Sequence, residues 1–140
     1  MRRYVLTSLA MLVIACGGDS ALAPESAAGS YTLQTVNGNA VPAVFYQDSQ
    51  EKDEFVNGSV ALSADNSWSG KLALRGTDLT TNEEYSFTAP IGGTYSLNSG
   101  SITLTDANNG LTFQGTVSRG TLSIDTEIVF GSTTTFMFQK

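Results

Sequence analysis

Few side chains in this chain are equipped to attack, donate a proton or ligate. Its 140 residues contain no histidine and a single cysteine, Cys16. Without histidine, the commonest general base and the commonest zinc ligand are both missing. Serines are plentiful, but a serine attacks only when a neighbouring base takes its proton. The nearest amines, Lys52 and Lys71, stand in stretches that read as exposed. Paired carboxylates could divide acid and base roles. In the adjacent pairs Asp53-Glu54 and Glu83-Glu84 the two members point to opposite faces of an extended backbone, so neither pair makes a local site. Oxygen ligands for a hard cation gather twice. In Asp106-Ala107-Asn108-Asn109-Gly110 the glycine comes one position too early for a calcium loop and no glutamate closes it, so a hairpin turn is preferred. Asp48, Glu51, Asp53 and Glu54 form either a weak calcium site or a charged lid facing water, and the lid is preferred. No catalytic residue, metal or cofactor is expected.

Cys16 is the exception. It follows Arg2-Arg3 and an apolar run over residues 4–14, and it precedes Gly17-Gly18-Asp19. A membrane span needs roughly 20 apolar residues, so this run is too short. A basic start, a short apolar stretch and small residues at its end are the anatomy of a secretory signal peptide. The segment Val13-Ile14-Ala15-Cys16 closely resembles the bacterial lipobox. That resemblance implies removal of residues 1–15, a diacylglycerol on the Cys16 sulfur and acylation of the new amino terminus. Each buried methylene contributes about 0.8 kcal/mol and one chain binds only reversibly, so stable attachment takes two or three. Resemblance to Gram-negative lipoproteins further implies that Gly17 after the cysteine directs the protein to the outer membrane. The expected place is the cell envelope, on the periplasmic face or the cell surface, with the bilayer as partner through acylated Cys16.

Residues 16–28 are small and polar around Pro24 and read as a lipidated cysteine with a flexible tether. Residues 29–140 remain for one domain with a modest core. The formal charge is −6, and removal of Arg2 and Arg3 leaves five basic residues against thirteen acidic ones, a net of −8. An acidic chain with no basic stripe fits nucleic acid poorly, so no such partner is expected. With Cys16 lipidated, no thiol is left for a disulfide.

From Gly29 onward apolar residues recur with period two, punctuated by turn residues. Tyr31 and Leu33 mark a first strand. Val56, Val60, Leu62 and Ala64 share a phase, as do Trp68, Leu72 and Leu74, then Tyr85, Phe87 and Ala89. Tyr95 and Leu97, Ile102 and Leu104, Leu111, Phe113 and Val117, Leu122 and Ile124, and finally Thr134, Phe136 and Phe138 continue the pattern. Residues 37–54 read as the one long loop, with a charged, solvated stretch at 48–55. Outward positions are almost all polar, as in a sheet with one wet face. An all-β fold of about eight to ten short antiparallel strands follows, closed as a sandwich or as an up-and-down barrel. The run of neighbouring hairpins favours the barrel.

Gly29-Ser30-Tyr31-Thr32-Leu33, Val36-Asn37-Gly38 and Val41-Pro42 together resemble the opening of lipocalin-like domains of bacterial lipoproteins. The resemblance implies an up-and-down barrel over residues 29–140, with Lys140 packed over Tyr31 to close its floor. The inward rings are Tyr31, Trp68, Tyr85, Phe87, Tyr95, Phe113, Phe136 and Phe138. With Leu72 on a wall and Phe45 and Tyr46 in a capping loop, they are the candidate ligand contacts. Gly58, Gly70 and Gly115 fall on the same inward phase and either leave room for a ligand or let strands coil closely. Two functions are therefore weighed. One is a membrane-anchored envelope lipoprotein whose barrel binds a small apolar or amphipathic molecule. The other is a structural or protein-interaction lipoprotein with a filled barrel, engaging an envelope protein.

Overall fold

A computed structural model of the protein describes residues 26–129 and 132–140; the signal-like segment, Cys16 and most of the tether lie outside the described residues. The alternation resolves into ten strands: β1 (Gly29–Val36), β2 (Asn39–Ala40), β3 (Ala43–Gln47), β4 (Glu51–Leu62), β5 (Ser67–Asp78), β6 (Glu84–Asn98), β7 (Ser101–Asp106), β8 (Thr112–Ser118), β9 (Thr121–Val129) and β10 (Ser132–Gln139). Tight hairpins are set by their turn residues. Asn37-Gly38, Ser99-Gly100 and Arg119-Gly120 each place two successive residues at positive φ, the geometry whose twist matches that of the flanking strands.

All pairings are antiparallel. Strands β4 to β10 pair in sequence order, β10 returns to β1, and β1 pairs with β4. The last contact closes an eight-strand up-and-down barrel, with β2 and β3 as additional strands; it is not a sandwich. The closing seam is short, from Gly29↔Leu62 to Thr32↔Ser59. Beyond it β1 and β4 diverge, and the freed edges are taken by β2 and β3 respectively. Residues 37–54, expected as a loop, are thus largely strand. They fill a wedge in the wall, with Ala43 buried and Phe45 packed against the core.

The charged stretch over 48–55 is likewise a β-turn running into β4 and not a solvated loop. A bulge between Phe55 and Asn57 shifts the register against β5. The extra residue resets the inward phase, so Phe55 is buried and not Val56. Ala64, assigned to the same inward phase, lies exposed in the β4–β5 turn.

The floor closes as the resemblance implies. The Lys140 ammonium stands 5.6 Å from the centre of the Tyr31 ring and donates to the Ser26 carbonyl at 2.9 Å. The buried Tyr31 hydroxyl donates to the Ala27 carbonyl at 2.6 Å. A Cβ at Gly29 would run into the Lys140 stem. Above this floor Leu33, Leu62, Trp68, Ile102, Leu104, Leu122, Phe136 and Phe138 build the core.

Two expected core rings are not in it. Tyr85 is 53% exposed and Phe87 is 62% exposed. Their phase is correct, since Gly76↔Tyr85 and Leu74↔Phe87 pair across β5 and β6. The reason for their exposure is stagger. Strand β7 covers β6 only over Gly93–Asn98, so residues 84–92 rise past it with no described strand paired on that side. Leu97 and Leu111, near strand ends, are exposed as well.

Trp68, by contrast, is 4% exposed. Trp68→Ala is expected to destabilise the fold by about 3–5 kcal/mol, whereas Phe87→Ala should stay within about 0.5 kcal/mol. Urea titration of both variants checks this, and equal losses would mean that the two rings share one environment.

Candidate functional site

The barrel interior is the first place to look for a ligand. Trp68 donates its indole N–H to the Thr105 carbonyl at 3.2 Å and meets Phe113 edge-on at 6.4 Å between centroids. Phe136 meets Phe55 edge-on at 5.0 Å, and Phe45 lies 4.5 Å from Phe55. Three linked rings thus stop the end opposite the floor. Between the two clusters a cavity of about 40 Å³ remains, bounded by Leu72, Ile91, Phe113 and Ile124 among others. Ligand seats run to roughly 300–1,000 Å³. This one is several-fold too small, and its lining is nearly all apolar.

Two inward glycines explain the tight fit. A Cβ at Gly58 would press on Leu72 Cδ2 at 2.8 Å, and one at Gly70 would meet the Ser59 carbonyl oxygen at 2.5 Å. Their space is already taken by neighbouring chain, so they bring strands together and leave no vacancy.

The mouth is more open. A cleft of about 250 Å³ lies between Phe45, Asp53, Leu74, Arg75, Gly76, Tyr85 and Phe87. Tyr85 crosses directly over Gly76, where a Cβ would strike its ring. Its hydroxyl donates to Glu51 and, at 3.3 Å, to Asp53. The bond to Glu51 pushes the phenol well above the ordinary tyrosine range. Partial burial, then the charge of Glu51, raises the Asp53 carboxyl against the Tyr85 hydrogen bond.

The remaining acids of this stretch are used elsewhere. Asp48 accepts the amides of Gln50 at 2.7 Å and Glu51 at 2.8 Å and the Tyr46 hydroxyl at 2.8 Å, so it caps the β3–β4 turn. Those bonds hold its carboxyl below the usual range. Glu54 points to the opposite face from Asp53, where Arg75 donates to one oxygen from Nη2 at 2.8 Å and from Nε at 3.1 Å. Lys52 stands 3.4 Å from the other oxygen. Arg75 first, then Lys52, hold this carboxyl low against the cost of its burial. The four acids are therefore spread over a turn and two faces. No group of three or more metal-binding side chains comes together among the described residues. Asp106 accepts the Asn108 amide at 2.7 Å in a turn completed by Gly110 at positive φ.

Ser49-Gln50-Glu51-Lys52 does carry Ser-x-x-Lys spacing, which on a helix would align a nucleophile with its base. Here Ser49 sits in a turn, and Lys52 faces Glu54 from the following strand.

Of the eleven expected ligand contacts, Tyr31, Trp68, Phe136 and Phe138 are buried and Leu72 and Phe113 half-buried around the lumen. Phe45, Tyr85 and Phe87 meet at the mouth. Tyr46, on β3, turns its hydroxyl to Asp48 of the β3–β4 turn. Tyr95 donates to the Ser63 carbonyl at 2.8 Å, fastening β6 to the β4–β5 turn. Cys16 lies outside the described residues. Phe55 and the Glu54–Arg75–Lys52 cluster were missed; their signal, an aromatic and alternating charges in residues 51–55, was hidden by the polar composition.

No family model, curated protein or solved structure matches this chain. Its class rests on geometry: an all-β, closed, eight-strand antiparallel barrel consistent with a lipocalin-like fold.

Glu54→Gln should lower stability near neutral pH, because the native carboxyl sits below its ordinary value of 4.5. A lowered native value stabilises the fold above the unfolded value and ceases to do so as pH falls through the native one. Urea midpoints of the two proteins should differ most near pH 7, and the gap should shrink as pH falls below the ordinary carboxylate range. An unchanged gap at low pH would assign the loss to packing.

Proposed function

We propose that this protein is a lipid-anchored lipoprotein of the cell envelope whose filled barrel acts through its surface, as an interaction module. The observation that carries this reading is the cavity of about 40 Å³ in a lumen otherwise closed by Tyr31, Trp68, Phe55 and Phe136. An eight-strand barrel can be just filled by its side chains, and this one has the rings to do so. The lipobox resemblance at Val13-Ile14-Ala15-Cys16 supplies the anchor. The chain enters the barrel at Ser26 beside Lys140, on the floor end. Residues 17–25 can span at most about 30 Å. An anchor at Cys16 would therefore set the floor toward the bilayer and the mouth away from it.

The mouth cleft, walled by Phe45, Leu74 and Phe87, favours one second reading, in which a small amphipathic molecule lodges there and not in the lumen.

Fractionation of cells producing the full chain tests the anchor. Cys16→Ser should move the protein from membranes to the soluble fraction with an unchanged thermal midpoint; retention in the membrane would contradict it. Native mass spectrometry of the gently extracted protein tests the filled lumen. The account expects the acylated chain alone; a stoichiometric small molecule still retained after Phe87→Ala at the mouth would overturn it, whereas one lost in that variant would belong to the cleft of the second reading.

A further inference from the structure

We propose that the free edge of β6 is a docking site for an extended basic peptide segment, which adds to the sheet as one more strand. The proposal deepens the interaction reading above and does not depend on the anchor.

Backbone N–H and C=O groups of successive strand residues point to alternate sides, so a few bonds establish the phase of a whole strand. On the β5 side, the Glu83 carbonyl accepts from Asp78 at 2.9 Å and the Tyr95 amide donates to Asn66 at 2.8 Å. On the other side, the Gly92 carbonyl accepts from Ala107 at 2.9 Å. The β5–β6 ladder runs from Ser67↔Thr94 to Thr77↔Glu84 without a register shift. Odd-numbered residues of β6 therefore bond to β5, and even-numbered ones face away. Among the described residues no strand pairs with that outer side before Gly93. Among the described residues, the backbone groups of Glu84, Ser86 and Thr88 have no strand partner on that side. Pro90, in the same phase, has no N–H to offer.

Unpaired edges are templates for strand addition, and proteins limit them with proline and charge. Pro90 at one end and Glu83-Glu84 at the other leave a short window between them. The window has two recognition features beside it. Tyr85 and Phe87, both exposed, border the cleft of about 250 Å³ on the inner face and offer a seat for an apolar side chain. On the outer face Glu84 stands exposed on β6 itself, directly after Glu83, while Arg75 and Lys52 are engaged by Glu54, so a cation from an added strand would meet a carboxylate there. Strand addition gives affinity through main-chain bonds and specificity through alternate side chains. The fitting partner is therefore an extended segment alternating apolar residues with Lys or Arg. A second copy fits less well, because each chain carries a net charge of −6.

The test uses the full chain in detergent micelles, a capped hexapeptide alternating Lys and Val, and amide hydrogen exchange read by NMR. Addition of the peptide should slow exchange at Ser86 and Thr88 at least tenfold and leave Phe87, already bonded to β5, unchanged. Two N-methylated peptides, one for each alternate set of amides, should differ: one keeps its affinity and the other loses at least tenfold. Thr88→Pro removes a free N–H without touching the β5 ladder and should also cost at least tenfold in affinity. If that variant does not fold, the methylated pair still decides on the unaltered protein. Equal binding by both methylated peptides, or no added protection, overturns the proposal. Protection before any peptide is added also overturns it, since the edge would then be occupied by a second copy or by residues 1–25. A small molecule found in the barrel would sink the filled-lumen reading and leave this result standing.

Discussion

Four residue pairs, Gly29↔Leu62 to Thr32↔Ser59, turn a meander of hairpins into a closed barrel. Without them the sheet would stand open between β1 and β4, with β2 and β3 at its ends, and Tyr31, Leu33, Val60 and Leu62 would lose their closed interior. With them, the apolar phase of eight strands meets in a common interior. The seam lies at the floor, beside the contact of Lys140 with Tyr31 and Ser26. Closure and the point of chain entry are thus built from the same few residues. Since the chain has no disulfide partner for its one cysteine, this packing bears the stability alone.

A short seam has a consequence at the other end. Where β1 and β4 part, β2 and β3 line the gap, and Phe45, Phe55 and Phe136 plug it. On the far side the stagger of β7 leaves β6 standing free. The same tilt that closes the floor therefore produces a filled lumen, an aromatic mouth and an unpaired strand edge. Glu54 with Arg75 and Lys52 braces the outer face of this projecting sheet, while Tyr85 bridges its inner face to Glu51 and Asp53.

Much of this was legible in the sequence. The parity of Trp68, Ile102, Leu104, Leu122, Ile124, Phe136 and Phe138 places them inside, because one dry face dictates period two. Asn37-Gly38 and Arg119-Gly120 announce their turns. The pairing of Lys140 with Tyr31 followed from the lipocalin resemblance. Other features were hidden for definite reasons. Parity tells which face Tyr85 and Phe87 share with Leu74, but not whether a wall stands opposite, which depends on shear between distant strands. The bulge at Phe55 resets the phase at a position where acidic neighbours suggest a loop. Short strands such as β2 take their pairing from tertiary context, and no local pattern marks them.

A filled interior shifts the search for function from the lumen to the rim, where exposed rings, carboxylates and free backbone groups lie together. All of this presupposes that the ring is closed. Cross-strand nuclear Overhauser effects between β1 and β4 test that most directly. The account predicts contacts linking Gly29 with Leu62 and Tyr31 with Val60, alongside those from β1 to β10. Contacts from β1 to β10 with none from β1 to β4 would mean an open sheet and would contradict it.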